Sequence, residues 1–454
     1  MGAAADEDGE KKMYLGVDVG GTKTLAALAK GSGKIVSRSR RPTPRGGKTS
    51  ETLKAIRRTM EEALVEAGGD AASVKAAGVA VPGVIDADGR VVFSPNTNLA
   101  GARPGAELSA ALGVPVALGN DVNCGALGEK WLGSAGWAAD AVCVFVGTGI
   151  GGGIILNGRL HRGRRGAAGE LGHMQMRADG PTCGCGAPGC LEALASRTAM
   201  ERDIRAAADT GRQTVLTDLL EGDLRQIKSS MLRKALERED PVVTEVVSAA
   251  SEVLGRACLN LRHLLDPEVI VLGGGVVEAC ERFIMPIVER VTAGDTLLGP
   301  GPGAKVVVSA LGDDAVVLGA VALARQAAGE DPLAEVAAVD ELYPTISDVG
   351  KGTVAVGGKT YDGDIYIRAD GKVKNRRKLL AKVGSSPGRI DRPELEKVCR
   401  YGPGVLFVSG GGVRLTREGR LFLRRRGIDV EVGGGPDAFN DARRRKAAIV
   451  HLAG

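Results

Sequence analysis

Aromatic residues and long apolar runs are scarce in this chain of 454 residues. Aromatic side chains make up 3% of it, so there are few candidates for the stacking platforms that hold single-stranded nucleic acids. No uninterrupted apolar run approaches the roughly 18 residues of a membrane-spanning helix. Residues 1–12 are small and charged, without the apolar segment of a signal peptide. The sequence therefore predicts a cytoplasmic protein with a frayed tail over residues 1–12, no membrane partner and no nucleic-acid partner.

Two widespread catalytic patterns are also missing. No serine, histidine and aspartate occur in an order that includes a nucleophile elbow, and the glycines at 273–275 lack the GxGxxG spacing of dinucleotide-binding proteins. Hydrolase and dehydrogenase chemistries therefore have no support.

Of the eight cysteines, five are scattered singly inside apolar patterns, which is typical of reduced, buried thiols in the cytosol.

The distribution of charge divides the chain. Residues 331–454 contain 23 Lys and Arg against 16 Asp and Glu, a balance of +7, whereas residues 1–330 carry −2. An alanine-rich acidic stretch at 326–344 precedes short β-like runs separated by glycines. We expect a first domain at 13–330, a linker at 331–343 and a smaller α/β domain at 344–454.

The most specific signal is GELGHMQMRADGPTCGCGAPGCLE at residues 169–192. His173, Cys183, Cys185 and Cys190 supply one imidazole and three thiols in a loop rich in glycine and proline. These four groups predict a tetrahedral structural zinc with all its positions closed. The alternative is three reduced surface thiols beside an unrelated histidine.

Strands alternate with helices through the first 330 residues, which predicts an α/β architecture. Three apolar strands, at 14–19, 141–146 and 269–272, each run into a glycine-rich turn. Because glycine has no Cβ, such a turn lets backbone N–H groups approach phosphate oxygens. The residues concerned are Gly20, Gly21, Thr22 and Lys23 in the first turn, Gly147, Thr148 and Gly149 in the second, and Gly273, Gly274 and Gly275 in the third.

The first two turns repeat one pattern, which indicates two related halves that face each other across a cleft. The hydroxyls of Thr22 and Thr148 would donate to phosphate oxygens, and Asp18 would hold Mg²⁺ through water. For Lys23, a contact to phosphate and a solvated position at the surface are equally good interpretations.

Asp121 stands where a strand ends in LGND and a helix begins. There the helix dipole and free N–H groups would favour the ionised carboxylate. Asp121 is either a helix cap or, beside two phosphate turns, the general base that phosphoryl transfer to an alcohol requires.

Eight motifs over residues 14–329 resemble the ROK family of repressors and sugar kinases, in particular its glucokinase-like members. They are DVGGTKT, GVAVPGVID, SPNTNL, GNDVNCGALGE, GTGIGGG, GELGH, CGCGAPGCLE and VLGGG, in family order. The resemblance implies an actin-like, ribonuclease-H-like duplicated fold with a hinged cleft between lobes at about 13–130 and 131–330. It also implies ATP and Mg²⁺ as cosubstrates, a structural Zn²⁺, and a dimer or tetramer.

By position, the resemblance makes Asp121 the base that takes the proton from a sugar hydroxyl. Asn96, Asn98, Asn120, Glu170, His173 and Glu192 would hold the other hydroxyls. If one nitrogen of His173 binds the metal, the other is free to donate to the sugar.

The loop that follows Asn98 departs from the family pattern. Family members often have an aromatic residue shortly after this asparagine, whereas this chain continues Leu-Ala-Gly-Ala-Arg-Pro. The expected reaction is transfer of phosphate from MgATP to the 6-hydroxyl of glucose, and N-acetylmannosamine and N-acetylglucosamine are the alternative substrates. A hypothesis from another class is a non-catalytic sugar sensor that acts through the C-terminal domain.

The C-terminal segment resembles a small α/β family that includes a mitochondrial complex I assembly factor, through YDGDIYIRADGKV and AFNDARRRKAAIVHLAG. No enzyme function follows from it. Residues 352–358 and 361–368 are expected to pair as strands across Gly357 and Gly358. The arginine clusters at 424–426 and 443–446 favour a protein-docking face or a regulatory cap over nucleic-acid binding.

Overall fold

The computed structural model describes residues 12–44, 46–69, 74–297, 304–334, 343–349, 352–369, 371–400, 402–410, 412–433, 436–441 and 446–452. Residues 1–11 of the tail expected at 1–12 lie outside these ranges. None of the helices described there combines the length and apolarity that a membrane crossing needs. Grouping by contacts gives two units, Met1–Gly128 with Asp140–Glu330, and Glu129–Ala139 with Asp331–Gly454. The lobe and linker boundaries expected above stay predictions.

The first half of the larger unit is built on a five-stranded sheet in the order β3-β2-β1-β4-β7. Its elements are β1 (Met13–Val19), β2 (Lys23–Lys30), β3 (Ile35–Pro42), α1 (Thr49–Glu66), β4 (Val74–Val81), β5 (Val84–Ile85), β6 (Val91–Phe93), α2 (Pro104–Leu112), β7 (Val116–Asn120) and α3 (Asp121–Leu132). Strands β1, β2 and β3 form an antiparallel meander, and β4 and β7 add in parallel to β1. The parallel strands therefore end at one edge of the sheet.

The second half repeats this arrangement with a sheet in the order β10-β9-β8-β11-β12. Its elements are β8 (Ala141–Val146), β9 (Ile150–Leu156), β10 (Arg159–His161), α4 (Leu191–Ala195), α5 (Arg197–Asp209), α6 (Val215–Leu219), α7 (Ser229–Glu237), α8 (Pro241–Leu265), β11 (Val269–Gly273), α9 (Gly275–Ala293), β12 (Lys305–Val308) and α10 (Ala315–Ala327). Again three strands form a meander and two add in parallel. The expected duplicated, actin-like fold is confirmed.

Two glycines let a helix lie directly on the first sheet. A Cβ at Gly78 in β4 would stand 1.9 Å from the carbonyl oxygen of Ala320, and one at Gly16 in β1 would stand 2.3 Å from that of Val317. Both carbonyls belong to α10, so its backbone packs against the strands without intervening side chains. Because α10 covers β1 and β4 in this way, the sequences of these strands are almost continuously apolar, as is typical of strands in sheets buried on both faces.

The smaller unit contains a five-stranded sheet in the order β17-β16-β22-β19-β21, together with a three-stranded antiparallel sheet and a two-stranded parallel one. Its elements are β13 (Ile346–Val349), β14 (Thr353–Val356), β15 (Lys359–Asp362), β16 (Ile365–Ile367), β17 (Val373–Asn375), α11 (Arg376–Val383), β18 (Arg389–Ile390), α12 (Arg392–Val398), β19 (Val405–Ser409), β20 (Arg414–Leu415), α13 (Arg417–Arg425), β21 (Asp429–Val432), α14 (Pro436–Asp441) and β22 (Lys446–Val450). An ion-paired cluster of Asp364, Arg376, Glu394 and His451 lies at one end of β16 and β22.

One expectation for this unit is wrong in detail. Strands β14 and β15 do pair, and Val356 stands opposite Lys359 across Gly357 and Gly358. The segment at 361–368 is not one strand, because it leaves the three-stranded sheet at Asp362 and enters the five-stranded sheet at Ile365. Gly363, with φ +79°, makes the break in a conformation that L side chains rarely adopt.

Candidate active site

The first glycine turn joins β1 to β2. The N–H of Gly20 donates to the carbonyl of Lys23 at 2.9 Å, which closes the turn at the end of two paired strands. Thr22 and Lys23 are exposed, so their side chains remain available to a ligand. Gly21 lies against Asn96, since a Cβ at Gly21 would stand 3.0 Å from Cβ of Asn96.

The second and third turns lie side by side, because they follow the neighbouring parallel strands β8 and β11. In the second turn the N–H of Gly147 donates to the carbonyl of Gly149 at 2.9 Å. In the third turn Gly274 has φ +88°, and a Cβ there would stand 2.6 Å from the carbonyl oxygen of Val146. Helix α9 starts at Gly275. The carboxyl ends of parallel strands are where ligands bind in open α/β sheets.

Asp121 opens α3 directly after β7. Its Oδ1 accepts hydrogen bonds from the N–H of Val122 at 2.9 Å and from Nδ2 of Asn120 at 3.0 Å. The capping bond at the helix start belongs to Asn120, whose Oδ1 accepts from the N–H of Asn123 at 2.9 Å. The other oxygen of Asp121, Oδ2, has no hydrogen-bond partner within the described ranges. Asp121 therefore has a free acceptor that a helix cap alone would not need.

Burial raises the pKa of Asp121, while the N–H of Val122 opposes the rise and the charge of Glu170 adds to it. The expectation that the helix N-terminus would favour the ionised carboxylate is therefore outweighed by desolvation. Burial likewise raises the pKa of Asp18 to about 6, and the charge of Asp121 contributes to that rise. The two carboxylates act on each other, as expected for residues at the carboxyl ends of β1 and β7 in one sheet.

Four of the expected sugar-binding residues, Glu170, His173, Glu192 and Asn98, differ in their contacts. Nε2 of His173 lies 3.9 Å from Oε2 of Glu170, and both side chains are exposed. The Oε2 of Glu192 accepts from the N–H of Ile150 at 2.9 Å, so this carboxylate is tied to the second glycine turn. Asn98 is already engaged through Nδ2, which donates to the carbonyl of Gly46 at 2.7 Å.

The four predicted metal ligands come together. The ligand atoms of His173, Cys183, Cys185 and Cys190 all lie within 4.8 Å of one another. Nδ1 of His173 is 3.6 Å from Sγ of Cys183, and the sulfurs of Cys185 and Cys190 are 3.7 Å apart and unbonded. A tetrahedron with Zn–S bonds of about 2.3 Å has edges of about 3.8 Å, so the residues fit a zinc ion.

A cavity of about 250 Å³ lies beside Asn120, between β7, α3 and the loop that follows β10. Leu118 and Leu127 provide apolar walls, and Arg162 and Asn123 also line it. The Oδ1 of Asn123 is itself closed to solvent and has no hydrogen-bond partner among the described residues.

Paired sheets of this topology, with glycine turns at the strand ends and a free carboxylate at the start of α3, define the class of ATP-dependent sugar kinases. The comparisons agree with the geometry. The chain belongs to the ROK family, whose profile matches residues 14–327.

Three relatives illustrate the family. The chain is 34% identical over 322 residues to a glucokinase of Thermotoga maritima, a match that covers 70% of this chain and 99% of that protein. It is 30% identical over 264 residues to an N-acetylmannosamine kinase of Vibrio cholerae, covering 58% and 83%. A ROK family glucokinase of Streptomyces griseus, solved with glucose and AMPPNP, superposes with a TM-score of 0.60 at 33% identity and covers 69% of this chain and 99% of that one.

Arg197 is absent from the residues that the motifs predict. Its Nη2 donates to Oγ1 of Thr148 at 2.8 Å, which places it at the second glycine turn. A signal was present in the sequence. A cation in the first turn of a helix is unfavourable to the helix dipole, so an arginine directly after the N-cap Ser196 calls for another role.

Proposed function

We propose that this protein is an ATP-dependent hexose kinase that transfers phosphate from MgATP to the 6-hydroxyl of glucose, with Asp121 as general base. The observation that carries the proposal is the Oδ2 of Asp121, which has no hydrogen-bond partner among the described residues. The charge of Asp121 also raises the pKa of Asp18, which lies next to the first glycine turn. Phosphoryl transfer to an alcohol needs positioned phosphates and one carboxylate within reach of the hydroxyl proton. In our proposal, residues of the larger unit would meet both requirements.

Asp121 would act through its free oxygen. While Oδ1 is fixed by Val122 and Asn120, Oδ2 can accept the proton of the sugar hydroxyl. Because burial raises its pKa, the carboxylate is a stronger base than an exposed aspartate and is suited to this transfer.

The phosphates would lie at Gly20, Gly21, Thr22 and Lys23 on one side of the cleft and at Gly147, Thr148 and Gly149 on the other, with Gly273, Gly274 and Gly275 beside the nucleotide. Asp18 would hold Mg²⁺ through water, and the ion would neutralise charge on the transferred phosphate. This requires Asp18 to be ionised, so its raised pKa makes the site sensitive to acid.

On the sugar side, Glu170, His173, Asn120 and Glu192 would bind the remaining hydroxyls, with Asn96 and Asn98 at the rim. Nδ1 of His173 lies 3.6 Å from Sγ of Cys183, and Nε2 lies 3.9 Å from Oε2 of Glu170. A Zn²⁺ on Nδ1 would fix the ring orientation and leave the Nε2–H to donate to the sugar. The zinc would thus be structural, and it would position a sugar contact.

The substitution Asp121→Asn tests the proposal. Without the base, we expect kcat to fall by roughly 10²- to 10⁴-fold, while glucose still binds with similar affinity in calorimetry. Asp218→Asn, which changes an exposed carboxylate of α6, serves as the control and should keep full turnover. Retained turnover in Asp121→Asn would contradict the proposal.

An N-acetylated hexosamine, N-acetylmannosamine or N-acetylglucosamine, is the alternative substrate. The similarity of this chain to the N-acetylmannosamine kinase of Vibrio cholerae supports it. An ATP-coupled assay across glucose, mannose, fructose and both acetylated hexosamines decides between them. The substrate with the highest kcat/KM is the one the pocket selects.

The non-catalytic alternative is a sugar sensor that acts through the C-terminal domain. A sensor does not need a base, so the free oxygen of Asp121 favours the kinase. Absence of turnover with every hexose, together with tight sugar binding, would favour the sensor. A homodimer or homotetramer is also proposed, and light scattering on the full chain would measure it.

A further inference from the structure

The second glycine turn is held by the first turn of α5. The N–H of Arg197 donates to the carbonyl of Gly147 at 3.0 Å, and the N–H and hydroxyl of Thr198 both donate to the carbonyl of Thr148, at 3.3 and 2.8 Å. The carbonyl oxygens of two successive peptide groups are therefore directed towards α5.

This arrangement orients the opposite side of the turn. In a planar trans peptide the N–H points away from the C=O, so the N–H groups of Thr148 and Gly149 point away from α5. Neither N–H has a hydrogen-bond partner within the described ranges. Successive free N–H groups in a glycine turn form a concave site for an anion.

Arg197 adds a charge to this site. Its guanidinium uses Nε to bind Oε1 of Glu201 at 3.0 Å and Nη2 to donate to Oγ1 of Thr148 at 2.8 Å. Since Oγ1 accepts from the guanidinium, the hydroxyl hydrogen of Thr148 remains available to donate elsewhere. Nη1 of Arg197 has no partner within the described residues, and 29% of the side chain is exposed.

We propose that Arg197 is a phosphate-binding residue of the nucleotide site, with Nη1 directed to an oxygen of the polyphosphate and Nη2 holding the hydroxyl of Thr148 in position to donate to the same group. The inference rests on the proposed kinase function and names a residue that the glycine motifs do not contain. Glu201, which is part-buried and fixes Nε, acts as the positioning residue for the guanidinium.

The role predicts how affinity divides between parts of the nucleotide. A charge-assisted hydrogen bond to phosphate contributes more to binding than a neutral one. Loss of the guanidinium should therefore lower the affinity for MgATP and MgADP and leave the affinity for adenosine unchanged. If Arg197 only held the turn in place, its loss would lower the affinity for all three ligands alike, because the third glycine turn lies beside the second.

The experiment compares Arg197→Ala and Arg197→Lys with the wild type in the full chain. We expect KM for MgATP and the dissociation constants of MgADP and Mg-AMPPNP to rise roughly 10- to 100-fold in Arg197→Ala. Adenosine affinity and sugar KM should change less than about twofold, and Arg197→Lys should recover only part of the loss because it lacks the planar fork. The matched control is Arg205→Ala, since this side chain of the same helix donates to the carbonyl of Glu201 and does not touch the turn.

Two results would overturn the inference. One is an unchanged KM for MgATP in Arg197→Ala, and the other is an equal loss of adenosine and MgATP affinity. Either is distinguishable from failure of the proposed function, which would show as a wild-type chain that transfers no phosphate to any hexose.

Discussion

The carboxylate of Glu192 connects the cysteine loop to the second glycine turn, because its Oε2 accepts the N–H of Ile150 at 2.9 Å while its Oε1 lies 3.8 Å from Sγ of Cys183. Ile150 is the first residue of β9, immediately after the turn. A residue expected only to bind sugar therefore also supports the second glycine turn. The cysteine loop and the turn thus share one side chain.

The first prediction distinguishes the roles of Glu192 and Glu170, the two carboxylates that we propose bind the sugar. Glu192→Ala removes the acceptor of the Ile150 N–H, and an unsatisfied part-buried N–H costs about 1–3 kcal/mol. We expect KM to rise for both the sugar and MgATP, by roughly tenfold each. Glu170→Ala, which has no bond to the turn, should raise only the sugar KM. Steady-state kinetics with each substrate varied in turn would measure this, and an unchanged KM for MgATP in Glu192→Ala would refute the connection.

The second prediction concerns the metal. Cys185→Ser alters an exposed thiol of the four-residue cluster, and Cys280→Ala, a buried thiol of α9, is its control. We expect about one zinc per wild-type chain and per control chain by elemental analysis, and substantially less in Cys185→Ser. The sugar KM should rise at least roughly tenfold, since the orientation of His173 is no longer fixed. Unchanged sugar kinetics in a folded, zinc-free protein would contradict this role.

Some of this site could be predicted from the sequence because the signals are local. Strand β8 occupies the predicted residues 141–146, and β1 and β11 each differ by one residue from the predicted 14–19 and 269–272. An apolar run followed by glycines determines both the strand and its turn without reference to distant residues. The cluster of His173, Cys183, Cys185 and Cys190 was also predictable, since these residues lie within 18 positions of one another and their types favour zinc.

The remainder depends on contacts between distant residues. Arg197 reaches Thr148 across 49 positions and Glu192 reaches Ile150 across 42, and neither pair belongs to a common motif. The pKa of Asp121 could not be predicted from its helix position alone, because desolvation by the folded cleft outweighs the helix N-terminus. In the smaller unit, Gly363 divides a continuous β-like run between two sheets, and only the pairing partners show where it divides.

The third prediction concerns acid. Burial, with the charge of Asp121, raises the pKa of Asp18 to about 6 from 3.8. The folded state therefore favours the protonated carboxyl. This contribution is complete below pH 3.8 and is lost as the pH rises through about 6. In magnesium-free buffer, Asp18→Asn should raise the free energy of unfolding at pH 8 by up to roughly 3 kcal/mol.

The same variant should gain little at pH 4, where the wild-type carboxyl is also largely neutral. Urea unfolding at both pH values measures the difference. A gain of equal size at pH 4 and pH 8 would exclude titration of Asp18 as its cause. Catalysis should change in the opposite direction, because Asp18→Asn removes the proposed Mg²⁺ contact and should lower turnover at every pH.

The last prediction concerns the smaller unit. The guanidinium of Arg376 is fully buried and binds both carboxylate oxygens of Glu394, at 2.6 and 3.2 Å, while Nη1 donates to Oδ2 of Asp364 at 3.1 Å. Arg376→Met would leave the buried charge of Glu394 unpaired, a change that costs about 3–5 kcal/mol. Hydrogen exchange of β19 and β22 in the full chain should accelerate accordingly. The control, Arg392→Met, breaks only an exposed pair with Glu396 and should change exchange little.

The dependence on pH and a double variant identify the cause. Burial already raises the pKa of Glu394 against the opposing charge of Arg376, so without the arginine this carboxyl should protonate more readily. The loss in Arg376→Met should therefore shrink as the pH falls towards 5. Arg376→Met combined with Glu394→Leu should be more stable than Arg376→Met alone, because no buried charge remains to be solvated. If the double variant were the less stable of the two, lost packing rather than an unpaired charge would account for the effect.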